Sequence, residues 1–131
     1  MYRGVIIEES LSDRSVVDGL RVVETEIEIV TEGFQTPWLK RWTLRTVEIP
    51  DDHIDAVAKS VSEAIDEAHA SSWFVDFQND ERHVIVFSKK VFVVNRSQPE
   101  EYEPVREYAL SIGIPEHQLG FLPERVGTFN P

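Results

Sequence analysis

Asp76, His83 and Arg96 have the residue types that general acid–base chemistry uses. A carboxylate orients an imidazole, the imidazole exchanges a proton near neutrality, and a cation nearby steadies developing negative charge. The strand reading below puts Asp76 and His83 on one face of adjacent strands, on a diagonal, with Arg96 opposite His83 on the next strand. These three are the candidate catalytic residues. The competing reading is a polar cluster closing the end of a sheet, because charge clusters are often only structural. Trp73 is the candidate ligand-binding residue: it opens the strand that carries Asp76 and would line a small pocket beside it. The alternative for Trp73 is plain core.

A second group is Asp51-Asp52-His53 with Asp55. Asp51 and Asp55 stand one helical turn apart, and oxygen ligands so placed suit a hard cation. A helix N-terminus repels cations, however, and Pro50-Asp51-Asp52 already explains itself as a helix start. No metal and no other cofactor is expected.

A third group lies between two strands, in Phe34-Gln35-Thr36-Pro37-Trp38-Leu39-Lys40-Arg41-Trp42. Phe34, Trp38, Leu39, Lys40 and Arg41 are the candidate partner-binding residues, since aromatic and arginine anchors are enriched at interface hot spots. The competing reading folds the loop back so that Trp38 caps the sheet. His117, in Ile114-Pro115-Glu116-His117-Gln118, is expected to be exposed and has no evident role.

The stronger motifs are missing. Gly4, Gly19, Gly33, Gly113, Gly120 and Gly127 never fall close enough for a dinucleotide or phosphate loop. The chain has no Gly-x-Ser-x-Gly elbow and no His-Glu-x-x-His. It has no cysteine, which removes disulfides, thiolate metal sites and cysteine nucleophiles together.

The elements that must position these groups follow the order βββαβββα. The first strand is about Arg3–Glu8, followed by a polar loop from Ser10 to Gly19. The second, about Leu20–Val30, alternates Glu24, Glu26 and Glu28 with Thr25, Ile27 and Ile29, the pattern of a strand with one dry face. The third is about Arg41–Ile49. A hairpin register pairing Glu26 with Arg45, Ile27 with Leu44, Glu28 with Thr43 and Ile29 with Trp42 sets opposite charges together on the wet side.

Ile54, Val57, Ala58, Val61, Ala64, Ile65 and Ala68 keep helical spacing, with His69 in the last turn. Strands at Trp73–Gln78, His83–Ser88 and Val91–Asn95 follow, turning at Asn79-Asp80-Glu81-Arg82 and near Lys89-Lys90. Val75, Phe77, Val84, Val86 and Val93 share one face of this meander. Phe74, Asp76, Ile85, Phe87, Phe92 and Val94 share the other, so both faces should be covered. Ser97-Gln98-Pro99-Glu100 has the form of a capping box, and a helix proper starts near Pro104 and ends at Gly113.

The expected fold is α+β: a mixed or mainly antiparallel sheet of about six strands with two helices, as a two-layer sandwich, for which a ferredoxin-like arrangement is one form. The expected domain is single, residues 1–131, with a loose tail from about residue 126.

The chain has 13 Lys and Arg against 24 Asp and Glu, a formal charge of −11. Residues 51–69 hold six acids against Lys59, and no basic stripe exists. Nucleic acid and anionic membrane are therefore disfavoured as partners. The apolar run Val5–Ile7 is too short for a signal-peptide core, no stretch has membrane-span length, and a cytoplasmic location is expected. The sequon Asn95-Arg96-Ser97 is then without consequence.

Two dry sheet faces, two helices and an aromatic loop point to a small non-enzymatic domain for self-association or protein-partner binding, with a homodimer expected. The alternative is a small-ligand binder or small acid–base enzyme around Trp73, Asp76 and His83. A third reading has the acidic helix imitate nucleic acid towards a basic protein.

Overall fold

The structure is a computed structural model and describes residues 1–29, 41–65, 73–114, 116 and 119, with Arg41 described in its backbone alone. Six strands form one sheet: β1 (Tyr2–Ile7), β2 (Arg21–Ile29), β3 (Arg41–Ile49), β4 (Val75–Gln78), β5 (Arg82–Phe87) and β6 (Lys90–Asn95). Their spatial order is β2-β3-β1-β4-β5-β6, and every neighbouring pair is antiparallel. The helices are a short α1 (Ser15–Asp18) inside the segment expected to be loop, α2 (Ile54–Ala64) and α3 (Glu103–Ser111). The α+β class, the antiparallel sheet and the two main helices are as expected. No helix among the described residues is long and apolar enough to cross a membrane.

Residues directly opposite in an antiparallel pair share a face. Tyr2, Ile6, Val47, Ile49, Val75, Phe77, Val84 and Val86 line one face and pack with Ile54, Ala58, Val61 and Ala64 of α2. Ile85, Phe87 and Val94 line the other and pack with Val105 and Ala109 of α3. The two helices thus lie on opposite faces, and one chain covers both sides of β4 and β5. No partner chain is needed to cover these two strands. β6 is an edge rather than central, and its Val93 is exposed.

α2 stops at Ala64, short of the apolar spacing that continues to Ala68. Ile65 is extended and bridges Leu11, and both the backbone N–H and the hydroxyl of Ser12 donate to the Ala64 carbonyl, at 2.7 and 3.0 Å. Ala68 and His69 lie outside the described residues.

A 3-10 turn at Pro99–Tyr102 precedes α3, whose first turn accommodates Pro104 as expected. The capping box does not form: the Ser97 hydroxyl donates to Asn95 Oδ1 instead. α3 is closed off at Gly113, φ 93°, two residues past its last helical residue, where the Gly113 N–H donates to the Leu110 carbonyl and the Ile114 N–H to the Ala109 carbonyl. That is a Schellman closure, and only glycine takes such a φ without strain.

The β2–β3 register departs from expectation by one residue: Glu26 lies opposite Leu44, Thr25 opposite Arg45, Ile27 opposite Thr43 and Glu28 opposite Trp42. A one-residue slip exchanges the faces of a strand. β3 itself is held from its far side. Leu44 pairs with Ile7 of β1, Trp42 packs on Trp73 in the core, and the Arg45 guanidinium is held by Glu8 at 3.0 Å. Glu9 anchors Thr43 through both the backbone N–H and the hydroxyl, at 2.5 and 2.7 Å. These contacts orient β3, and β2 joins as an outer strand with a bulge at Val23. The dry face expected for β2 is absent: Ile27 is 57% and Ile29 73% exposed.

Candidate functional site

The strand alternation brings Asp76 and His83 together as expected. β4 and β5 pair Asp76 with Ile85 and Gln78 with His83, so the two side chains lie diagonally on one face. His83 Nε2 is 2.6 Å from Asp76 Oδ2. The sequence reading missed the third member. Tyr102, on the 3-10 turn before α3, places its hydroxyl 3.0 Å from His83 Nδ1. An apolar-bodied residue at the mouth of a helix that must cover His83's face was the available signal.

The donor inventory sets the proton positions. The Asp76 carboxylate accepts only, so Nε2–H donates to it, and in the neutral imidazole Nδ1 accepts from the Tyr102 hydroxyl. The imidazole is fully buried and both its nitrogens are engaged, whereas the Asp76 side chain is 33% exposed. His83 therefore has no open nitrogen to offer a substrate. It orients Asp76, which is the part of the network that meets water.

Arg96 does not lie opposite His83, as the sequence reading placed it. Val94 occupies that position, and Arg96 follows β6, its backbone N–H donating to the Glu81 carbonyl. Its guanidinium donates to the Asn79 carbonyl at 2.5 Å and so braces the β4–β5 turn. The Asn79 side chain closes that turn by accepting from the N–H groups of Glu81 and Arg82.

Burial raises the Tyr102 hydroxyl above its ordinary range. Arg96 nearby draws it down in part, and Asp76 adds to the rise. A folded value above the unfolded one, about 10, means the folded chain keeps a proton that the unfolded chain has released. That stabilisation is complete below the unfolded value and is lost as pH rises through the folded one. Tyr102→Phe is expected to flatten the alkaline fall in stability above roughly pH 10. Urea midpoints from pH 8 to 11 check this, and an unchanged alkaline slope would refute it.

Trp73 is separated from this network. It is buried on the α2 side against Trp42, with ring centroids 5.6 Å apart, and its indole N–H has no hydrogen-bond partner among the described residues. The pocket expected to join Trp73 with Asp76 and His83 is therefore not formed by these residues. A cleft of about 820 Å³ opens instead near the β4–β5 turn, lined by Arg3, Val5, Thr46, Gln78, Asp80 and Arg96 among others. Val5 is the cross-strand neighbour of Asp76, but neither Asp76 nor His83 lines this cleft.

Of the partner-binding candidates, Phe34, Trp38, Leu39 and Lys40 lie outside the described residues, as does the side chain of Arg41. His117 and the tail from residue 126 lie outside them too. Asp51 pairs with the terminal amine of Met1 rather than capping α2. Among the described residues, no group of three or more His, Asp or Glu is placed to hold a metal ion.

The other exposed feature is β2. It has no strand on its outer side among the described residues, and Val22, Val23, Ile27 and Ile29 are all exposed on it. Comparison with known proteins finds no matching family model, no matching curated protein and no matching solved structure.

Proposed function

We propose that this chain is a non-enzymatic cytoplasmic binding domain that takes up a protein partner as an added strand on the outer edge of β2. The observation that carries the proposal is the state of that strand. It is nine residues long, its outer backbone groups are unpaired among the described residues, and Ile27 and Ile29 stand largely in water. An open edge is a template for another chain, and edge strands that must stay single are usually short or blunted. Main-chain hydrogen bonds along such an edge supply affinity, and alternate side chains supply specificity. Self-association, with a homodimer as its simplest form, is the other version of this reading.

A displayed library of nine-residue peptides, selected against the chain and then tested on Ile27→Ser/Ile29→Ser, decides the point. Both positions are exposed, so the variant is expected to keep its stability to within about 0.5 kcal/mol. Selected peptides should lose binding to it. No enrichment, or equal binding to both proteins, would overturn the proposal. Light scattering at low micromolar concentration reports the dimer in the same samples.

The acid–base reading retains one supporting observation, the hydrogen-bonded chain Tyr102–His83–Asp76. Against it, the imidazole is saturated, so only Asp76 is available for chemistry.

A further inference from the structure

Building on strand addition at β2, we infer that the incoming strand is basic, with Lys or Arg at every second residue and apolar residues between. Glu24, Glu26 and Glu28 lie opposite Thr46, Leu44 and Trp42 of β3, so they share one face and have no cation directly opposite. Among the described side chains, the cations of β2 and β3 are already committed elsewhere. Arg45 stands on the opposite face beside Thr25 and is held by Glu8, and Arg21 pairs with Glu48. None of the three carboxylates has an ion-pair partner among the described residues. A strand added outside β2 would set its own side chains directly opposite these three on the same face, where opposite charges attract and like charges repel. On the reverse face it would meet Thr25, Ile27 and Ile29, which call for apolar or β-branched residues.

The same pattern disfavours a second copy of β2 as the occupant. In an antiparallel self-pairing the two residue numbers have a constant sum. An even sum sets Glu against Glu, as in Glu26 opposite Glu28. An odd sum sets Glu against apolar residues, as in Glu26 opposite Ile27. Neither register satisfies the carboxylates, whereas a basic alternating strand satisfies both faces at once.

Three labelled heptapeptides test this by fluorescence anisotropy: alternating Lys and Val, alternating Thr and Val, and alternating Glu and Val. Three exposed charge pairs amount to roughly tenfold in affinity at low salt. The Lys–Val peptide is expected to bind about tenfold tighter than Thr–Val, to weaken as salt screens the pairs, and to protect amides 21–29 from exchange. The Glu–Val peptide should not bind. Glu24→Gln/Glu26→Gln/Glu28→Gln, all at surface positions, should bring Lys–Val down to the level of Thr–Val.

Equal binding of Lys–Val and Thr–Val would overturn the charge assignment and leave strand addition standing. No binding by any peptide would count against both. Lys–Val binding that persists in Ile27→Ser/Ile29→Ser without protecting the β2 amides would mean diffuse attraction to an acidic protein, and would also overturn the assignment. A dimer with protected β2 amides would give the edge to a second copy.

Discussion

Gly4→Ala is expected to destabilise this chain by about 3 kcal/mol or more, at or beyond the upper end of ordinary overpacking. A Cβ at residue 4 would sit 2.2 Å from the backbone carbonyl oxygen of Asp76 and 2.6 Å from Cδ1 of Phe77. Neither neighbour can retreat cheaply. The first is backbone in the β1–β4 ladder, and the second belongs to a ring with no solvent exposure at the centre of the core. The ladder runs over only three residue pairs: Arg3 with Gln78, Gly4 with Phe77 and Val5 with Asp76. It is also the seam joining β2-β3-β1 to β4-β5-β6. The alanine must therefore pry the two halves apart or expel Phe77.

A domain has only about 5–15 kcal/mol of stability to lose, so the melting temperature should fall by roughly 10 °C or more. Gly19→Ala is the control, since nothing lies within 4 Å of its added Cβ and its φ is an ordinary −86°. Equal melting temperatures for the two variants would show that β1 and β4 do not approach as described.

His83→Ala should cost about 3–5 kcal/mol, in the range of large core truncations. Part of the loss is the cavity, and part is the Tyr102 hydroxyl left buried without its acceptor. A buried polar group without a partner costs roughly 1–3 kcal/mol, while replacing both partners by apolar groups of like shape can be nearly neutral. His83→Leu and Tyr102→Phe should each be destabilising, and the double variant should cost less than their sum. Asp76, a third exposed, keeps water in place of the lost imidazole. Urea denaturation of the four proteins measures the coupling. Strictly additive losses would show that His83 and Tyr102 do not share a hydrogen bond in solution. Strong coupling, with peptide binding at β2 unchanged, is the signature of a network that holds α3 to the sheet rather than one that performs chemistry.

Much of this arrangement was legible in local pattern. The 3.6-residue period of residues 54–64, the doubly apolar alternation of residues 75–94, the Asn79 turn and the Gly113 stop each depend on residues close in sequence. The Asp76–His83 contact was legible too, because a short hairpin fixes its own register. The position of β1 between β3 and β4 was not, since neither pairing follows from a tight turn. The same holds for Gly4, whose need for a bare Cα appears only once β4 lies beside it. Tyr102 reaches His83 across 19 residues of chain, through the packing of α3, and no spacing rule covers that distance.

The charge pattern of β2 was visible, but the face it would occupy was misread. Opposing Glu26 to Arg45 would contribute at most about 1 kcal/mol at an exposed site, too little to fix a register by itself. The sequence by itself therefore determined the elements, their turns and the α+β class, because these are settled between near neighbours. Only the tertiary structure decided the strand order, the register of β2, the exposure of its isoleucines and the partner of His83, because those depend on which distant side chains compete for the same buried space.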